Sequence, residues 1–137
     1  MSKMDLEKIT VSEFMSHECY TAQKTDKIGA TDILMTRKQV GGVPVVNGSN
    51  RILGIITQRD ITLSKISSNV ASMTVQDLMT VNVVTCKESD TLKHVIQLMH
   101  DHDIERVPVI NDTKQLIGMV VQSDVIQLLY KVLVEKA

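Results

Sequence analysis

The two halves of this chain superimpose at one fixed offset, with no insertion between them. Thr10-Val11-Ser12-Glu13-Phe14-Met15 falls on Thr74-Val75-Gln76-Asp77-Leu78-Met79, an offset of 74 − 10 = 64 residues. The same step carries Thr21 onto Thr85, Asp26 onto Asp90, Met35 onto Met99 and Val43-Pro44-Val45 onto Val107-Pro108-Val109. It also carries Asn47 onto Asn111, Gly54 onto Gly118, Gln58 onto Gln122 and Asp60 onto Asp124. Such self-similarity means one supersecondary unit used twice, neither copy burying a core by itself. Two copies are too few for a solenoid. The economical expectation is a pseudo-twofold pair with a shared core and a cleft between its halves.

The second copy shows the unit more clearly. Val83-Val84-Thr85-Cys86 is a short β-branched run, and Asp90 is placed to cap a helix with Leu92, Val95, Ile96 and Met99 on one face. Arg106 to Ile110 reads as a second strand, its proline near the start or on an edge. Asn111 to Lys114 is a turn and Leu116 to Val121 a third, apolar strand. From Ser123 a helix follows that is apolar on more than one side. The first copy repeats this with weaker signals. Cys19 to Ala22 is its first strand, and Asp26 caps a helix carrying Ile28, Ile33 and Leu34. Val43 to Val46 and Ile52 to Thr57 are strands, and Gln58 to Ile66 is helical. A short amphipathic turn, Val11 to Met15 or Val75 to Met79, prefaces each unit. The expected fold is α/β (α+β), two tandem β-α-β-β-α repeats over 8–66 and 74–134 joined by a linker at 67–73. Strands this apolar are buried on both faces, and the surplus apolar surface of the last helix asks for a second subunit.

Composition narrows the function. At 137 residues the chain is long enough to bury a core, and 43% apolar content excludes a disordered chain. A net charge of −1, one Phe, two Tyr and no Trp offer neither general attraction to phosphate backbones nor stacking platforms, which disfavours nucleic acid as a partner. Cys19 and Cys86 do not align with each other and read as small apolar strand residues in a reduced, cytoplasmic setting. No run approaches the roughly 20 apolar residues that span a bilayer, and Met1 to Lys8 lacks a signal-peptide core.

These residues together resemble the CBS domain pair, or Bateman module. The resemblance is carried by Gly42-Val43-Pro44-Val45-Val46 with Gly54-Ile55-Ile56-Thr57-Gln58-Arg59-Asp60, and by Arg106-Val107-Pro108-Val109-Ile110 with Gly118-Met119-Val120-Val121-Gln122-Ser123-Asp124. It covers roughly residues 10 to 130, and the expectation is a module with no attached catalytic domain. It implies a regulatory module that binds an adenosyl compound (AMP, ADP, ATP, S-adenosylmethionine or NAD) between its repeats. By matching positions, one site would use Ile55, Thr57, Arg59 and Asp60 with Asp90, Ile104 and Glu105. The other would use Met119, Ser123 and Asp124 with Asp26, Val40 and Gly41. The chemistry suits the role. An ionised carboxylate accepts both hydroxyls of a ribose diol, and the start of the next helix offers N–H groups to an anion. Gly41-Gly42 lets a flat base approach the backbone, and Arg59 and Arg106 suit phosphate oxygens.

Thr57 to Asp60 also has a wholly structural reading as a capping box, Thr57 at the N-cap and the acid three residues on. In the second copy Val121 replaces the threonine while Asp124 stays, which favours a ligand role for the carboxylate; Asp124 also suits the helix dipole. Val121 and the charge of Glu105 imply unequal sites, the Asp60 site being the better. His94, His100 and His102 lack metal-ligand spacing, the methionines fill core positions, and no nucleophile elbow or phosphate loop is present. The expectation is a non-enzyme, a homodimer that senses an adenine nucleotide and signals to a partner in trans. The competing expectation is a ligand-free interaction or scaffold module working through its dimer surface.

Overall fold

The computed structural model describes residues 3–135; Met1 and Ser2, the start of the N-terminal segment read above, lie outside the described residues. In chain order the elements are α1 (Lys3–Lys8), α2 (Ile28–Lys38), β1 (Gly42–Val46), β2 (Ile52–Thr57), α3 (Gln58–Ser64), α4 (Val75–Leu78), α5 (Leu92–His102), β3 (Arg106–Ile110), β4 (Leu116–Val121) and α6 (Gln122–Leu133). Short 3-10 turns stand at Val11–Glu13 and Val70–Ser72. The elements form two compact units. One runs from Cys19 to Val83, and the other joins the residues up to Glu18 with those from Val84 onward.

In the unit of Cys19 to Val83, β1 and β2 form an antiparallel hairpin that pairs Gly42 with Thr57, Val43 with Ile56 and Val45 with Gly54. A bulge between Val45 and Val46 follows, and Asn50 closes the turn with φ of 62°. Asn47 fixes that turn by accepting from the backbone N–H groups of Ser49 and Arg51. The core is Ala22, Ile28, Met35, Val43, Val45, Ile56, Ile61 and Val75. In α2 the buried residues are Ile28, Thr31 and Met35, whereas Ile33 is exposed and Leu34 only half-buried. The face expected from sequence is therefore turned. The Thr31 hydroxyl accounts for its own burial by donating to the Lys27 carbonyl at 3.1 Å.

The second unit repeats the plan. Here β3 pairs with β4, Arg106 opposite Val121 and Val109 opposite Gly118, with the bulge at the equivalent place. Its core gathers Val95, Met99, Val107, Val109, Val120 and Val125 with Ile9, Val11 and Met15 from near the chain start. Each unit therefore completes its core with the preface of the other repeat: Val11 and Met15 here, Val75 in the first.

The preface docks by backbone pairing. Ile55 and Thr80 exchange two N–H to carbonyl bonds of 2.9 Å, and Met119 and Ser16 do the same at 2.9 Å. The glycine one residue earlier makes room. A Cβ on Gly54 would stand 2.7 Å from the Thr80 carbonyl oxygen, and one on Gly118 2.8 Å from that of Ser16. The methionine at the end of each preface, Met79 or Met15, lies against the same glycine.

The first strand expected in each repeat is reduced to one residue. Ala22 bridges Val45 and Cys86 bridges Val109, both in parallel. Ala22 donates to the Pro44 carbonyl and accepts from the Val46 N–H; Cys86 does the same with Pro108 and Ile110. The next rung back would need an N–H on Pro44 or Pro108, and proline has none. The ladder stops there. Cys86, sealed beneath it, has its thiol pushed up to about 12 by burial and by the neighbouring Asp90 carboxylate. Among the described residues no helix is long and apolar enough to cross a membrane.

Overpacking at the docking glycines costs about 1–3 kcal/mol per added methyl. Gly54→Ala and Gly118→Ala are each expected to lose that much stability in urea unfolding. Gly48→Ala, whose Cβ would meet nothing within 4 Å, is the control and should change little. Equal stability of all three variants would refute the docking role.

Candidate functional site

Each hairpin runs straight into a helix, and the junction places a carboxylate. Thr57 ends β2 in extended conformation (φ −117°, ψ 163°) and is the N-cap of α3. Its backbone N–H and its hydroxyl both donate to Asp60 Oδ2 at 2.9 Å, and the Asp60 N–H donates to Thr57 Oγ1 at 3.3 Å. The capping box read from sequence is therefore formed. It engages a single carboxylate oxygen: among the described residues Asp60 Oδ1 accepts no hydrogen bond. A carboxylate offers about four lone-pair positions over two oxygens, so the cap and a ligand do not compete for the same atom.

The second junction lacks the hydroxyl but keeps the carboxylate half. The Val121 N–H donates to Asp124 Oδ2 at 3.1 Å. This corrects the argument that Asp124 has no capping work once threonine is gone. Its retention has a structural cause.

Asp26 and Asp90 also differ from expectation. The N-caps of α2 and α5 are Lys27 and Thr91, the Thr91 hydroxyl accepting from the His94 N–H at 3.2 Å. The two carboxylates point back along the chain and close turns, accepting from the Gln23 and Lys87 N–H groups at 2.8 Å. A side chain one residue before the N-cap suits such a turn better than the helix end.

The remaining residues divide between the units. In the unit of Cys19 to Val83, Ile55 is half-buried on β2, Arg59 is exposed on α3, and Val40 and Gly41 precede β1. The Gly41 carbonyl accepts from the Gln58 N–H at 2.8 Å, so Gly41, Thr57 and Asp60 share one corner. In the other unit the Glu105 carbonyl accepts from the Gln122 N–H at 2.7 Å, which sets Glu105 beside Ser123 and Asp124. There Met119 is buried on β4, Ile104 half-buried, and Arg106 pairs with Glu105 at 3.7 Å. Asp26 and Asp90 make no hydrogen bond to the corner of their own unit among the described residues. The anion site expected at each helix start is narrower than read, because the first helical N–H is already held by a carbonyl.

One group escaped the sequence reading. The Gln58 side-chain amide donates to Asp32 Oδ1 at 3.1 Å, and Lys65 Nζ lies 3.3 Å from Asp32 Oδ2. The bond from Gln58, seconded by Lys65, holds the Asp32 carboxyl below its usual range against the opposing effect of burial. The available signal was a break in the repeat: Asp32 aligns with Ile96 and Lys65 with Leu129, while Gln58 keeps its mate Gln122. Among the described residues no group of three or more His, Cys, Asp or Glu is arranged to hold a metal ion.

Comparison with known proteins bears on the fold and the family. The CBS domain profile matches residues 11–65 and 75–131. The chain is 34% identical over 108 residues to inosine-5'-monophosphate dehydrogenase of Halobacterium salinarum, covering 78% of this chain and 21% of that one. It is 36% identical over 126 residues to homoserine O-acetyltransferase of Methanosphaera stadtmanae, covering 92% and 25%. It thus spans about a fifth and a quarter of the length of these relatives. The crystal structure of the CBS domain pair of protein MJ0100, in complex with 5'-methylthioadenosine and S-adenosyl-L-methionine, superimposes with a TM-score of 0.81. That match is 28% identical and covers 88% of this chain and 94% of that one.

Removing the Thr57 hydroxyl by Thr57→Ala is expected to cost about 1 kcal/mol, and Val121→Thr to add about 0.5 kcal/mol by completing the second box. Thermal unfolding of both variants checks the pair, and a loss of stability in Val121→Thr would contradict the half-box. Asp32 supplies a pH dependence. Its folded carboxyl lies below the unfolded value of 3.8, so the unfolded chain takes up the proton first. Its stabilisation is complete above that value and drains away as pH falls through the folded one. The stability gap between wild type and Asp32→Asn should therefore be constant near neutrality and close below about pH 4. A gap unchanged down to pH 2 would refute the assignment.

Proposed function

This chain belongs to the CBS domain family, and we propose that it is a regulatory module binding an adenosyl compound, with the Asp60 corner as its principal contact. The observation that carries this reading is the match to the MJ0100 domain pair, whose crystal contains two adenosyl ligands. The corner has the chemistry such a ligand needs. Asp60 presents an oxygen that its cap leaves free, and an ionised carboxylate binds a ribose diol through charge-assisted bonds. Thr57 and the exposed Arg59 flank it, one able to reach a hydroxyl and the other a phosphate.

The Asp124 corner is the weaker of the two under this proposal. Val121 brings no hydroxyl, and Arg106 is already paired with Glu105. The proposed output is a change of state read by another protein in trans: the ligand favours one conformation by its difference in affinity between states. No catalytic step is assigned to the chain, and a cytoplasmic homodimer is its proposed working form. Exposed Ile126, Tyr130 and Leu133 on α6 favour self-association, and they equally support the second reading, an interaction module that acts without ligand.

Isothermal titration against AMP, ADP, ATP, S-adenosylmethionine, 5'-methylthioadenosine and NAD tests the proposal, with sedimentation of the same samples to give the mass. At least one compound should bind in the micromolar range, near −8 kcal/mol. Asp60→Ala should weaken it about tenfold and Asp124→Ala less, since a hydrogen bond to a charged group contributes about 1.5–3 kcal/mol. A dimeric protein that binds none of the six would move the assignment to the interaction module. A monomer that binds would remove the homodimer and leave the ligand reading intact.

A further inference from the structure

We infer that Asp32 is a positioning residue for the Asp60 corner, a single carboxylate on α2 that holds both ends of α3. The inference rests on the reading of that corner as the ligand contact. Oδ1 receives the side-chain amide of Gln58, the first residue of α3, and Oδ2 lies against the ammonium of Lys65, its C-cap. Asp60 stands between those two anchors.

The need for such a device follows from the size of α3. At seven residues it is far too short to persist by its own hydrogen bonds, so contacts outside the helix must fix its position. Its buried residues are Ile61 and Ser64, and Ser64 bonds within the helix to the Ile61 carbonyl. One large apolar side chain therefore anchors the whole element, and Leu63 is exposed. The counterpart α6 has twelve residues, with Val125 and Val132 buried and Leu128 and Leu129 packed on the core. It needs no polar clamp. The position equivalent to Asp32 is Ile96, which offers no acceptor, and no side-chain bond from Gln122 is present among the described residues. The repeat whose final helix has the lesser apolar anchorage is the one that carries the carboxylate.

The Gln58 bond matters more than the ion pair. Lys65 is largely exposed, and exposed ion pairs contribute little. Gln58 is half-buried, and its side chain fixes the first turn, where Thr57 and Asp60 close their box. When that turn loosens, the fraction of molecules with a ligand-ready corner falls, and apparent affinity falls in proportion.

Two measurements on Asp32→Ala test this, both with Asp32→Asn as the milder variant that keeps an acceptor for Gln58. In ligand-free protein, amide exchange over 58–61 should quicken about fivefold while 122–125 stays unchanged, the size expected for one lost hydrogen bond. Affinity for S-adenosylmethionine, or whichever adenosyl compound the wild type binds, should weaken about fivefold, and this loss should vanish in an Asp60→Ala background. Unchanged exchange at 58–61 would overturn the inference whether or not any ligand binds. Faster exchange with full affinity, or a loss that persists without Asp60, would also overturn it. Faster exchange in a protein that binds no adenosyl compound would overturn the ligand reading while supporting the clamp. Should Asp32→Ala fail to fold, the same comparisons apply to Asp32→Asn, with effects of the same sign and smaller size.

Discussion

At Gly54, and again at Gly118, a backbone carbonyl from elsewhere in the chain lies where a side chain would begin. This approach places the preface segment on the outer edge of each hairpin, and much else follows from it. The paired backbone of Ile55 with Thr80, or Met119 with Ser16, gives the hairpin a further neighbour and puts Met79 or Met15 over the glycine. Val75 or Val11 is carried with it into the core. Two residues after the paired position the strand ends at Thr57 or Val121, still extended, and the helix starts. The glycine of the repeated motif is thus a docking residue, three positions ahead of the residue that receives the acidic cap. Its role requires no ligand.

The carboxylates show how one geometric device serves several purposes. Repeatedly among the described residues an acidic side chain accepts from the backbone N–H three residues earlier, as at Glu13, Asp26, Asp60, Asp77, Asp90 and Asp124. They occur as three pairs at the repeat offset, two pairs at helix starts and one in a turn. A motif whose acid has a structural cause in every copy cannot by itself identify a ligand site. What sets Asp60 apart is local. Its threonine hydroxyl also accepts from the Asp60 N–H, a bond that Thr10 and Thr74 do not make in their boxes, and its helix begins at a glutamine held by a second carboxylate.

Much of this was legible in the sequence for a plain reason. The hairpins, the turns at Asn47 and Asn111, the prefaces and the strand-to-helix junctions depend on contacts within a few residues or on alternation, and both repeats report them twice. The missing first strands were not legible from their own residues. Val83 to Cys86 is as β-branched as a strand should be, and the limit lies in the absent N–H of Pro108 on the partner strand. Asp26 and Asp90 were read as caps because they stand one residue before the N-caps Lys27 and Thr91, and from there their carboxylates turn back to the Gln23 and Lys87 N–H groups. The turned face of α2 has the same root as the missed Asp32. Thr31 and Asp32 interrupt the apolar pattern, and their partners, the Lys27 carbonyl and Gln58, are invisible to periodicity.

The departures from the repeat are where the two copies acquire different properties. An exact duplication would give two equal corners. Replacing Thr57 by Val121, Asp32 by Ile96 and Lys65 by Leu129 removes polar groups from the second copy together. The same copy has the longer final helix, and its extra residues expose Tyr130 and Leu133 while burying Val132. Polar positioning has accumulated in one repeat and apolar anchorage of the final helix in the other. A long helix anchored by several apolar side chains leaves its outer face free to vary, whereas a seven-residue helix anchored by Ile61 must spend polar contacts on its own placement. The asymmetry of the corners is therefore a consequence of helix length as much as of the residues at the corners themselves.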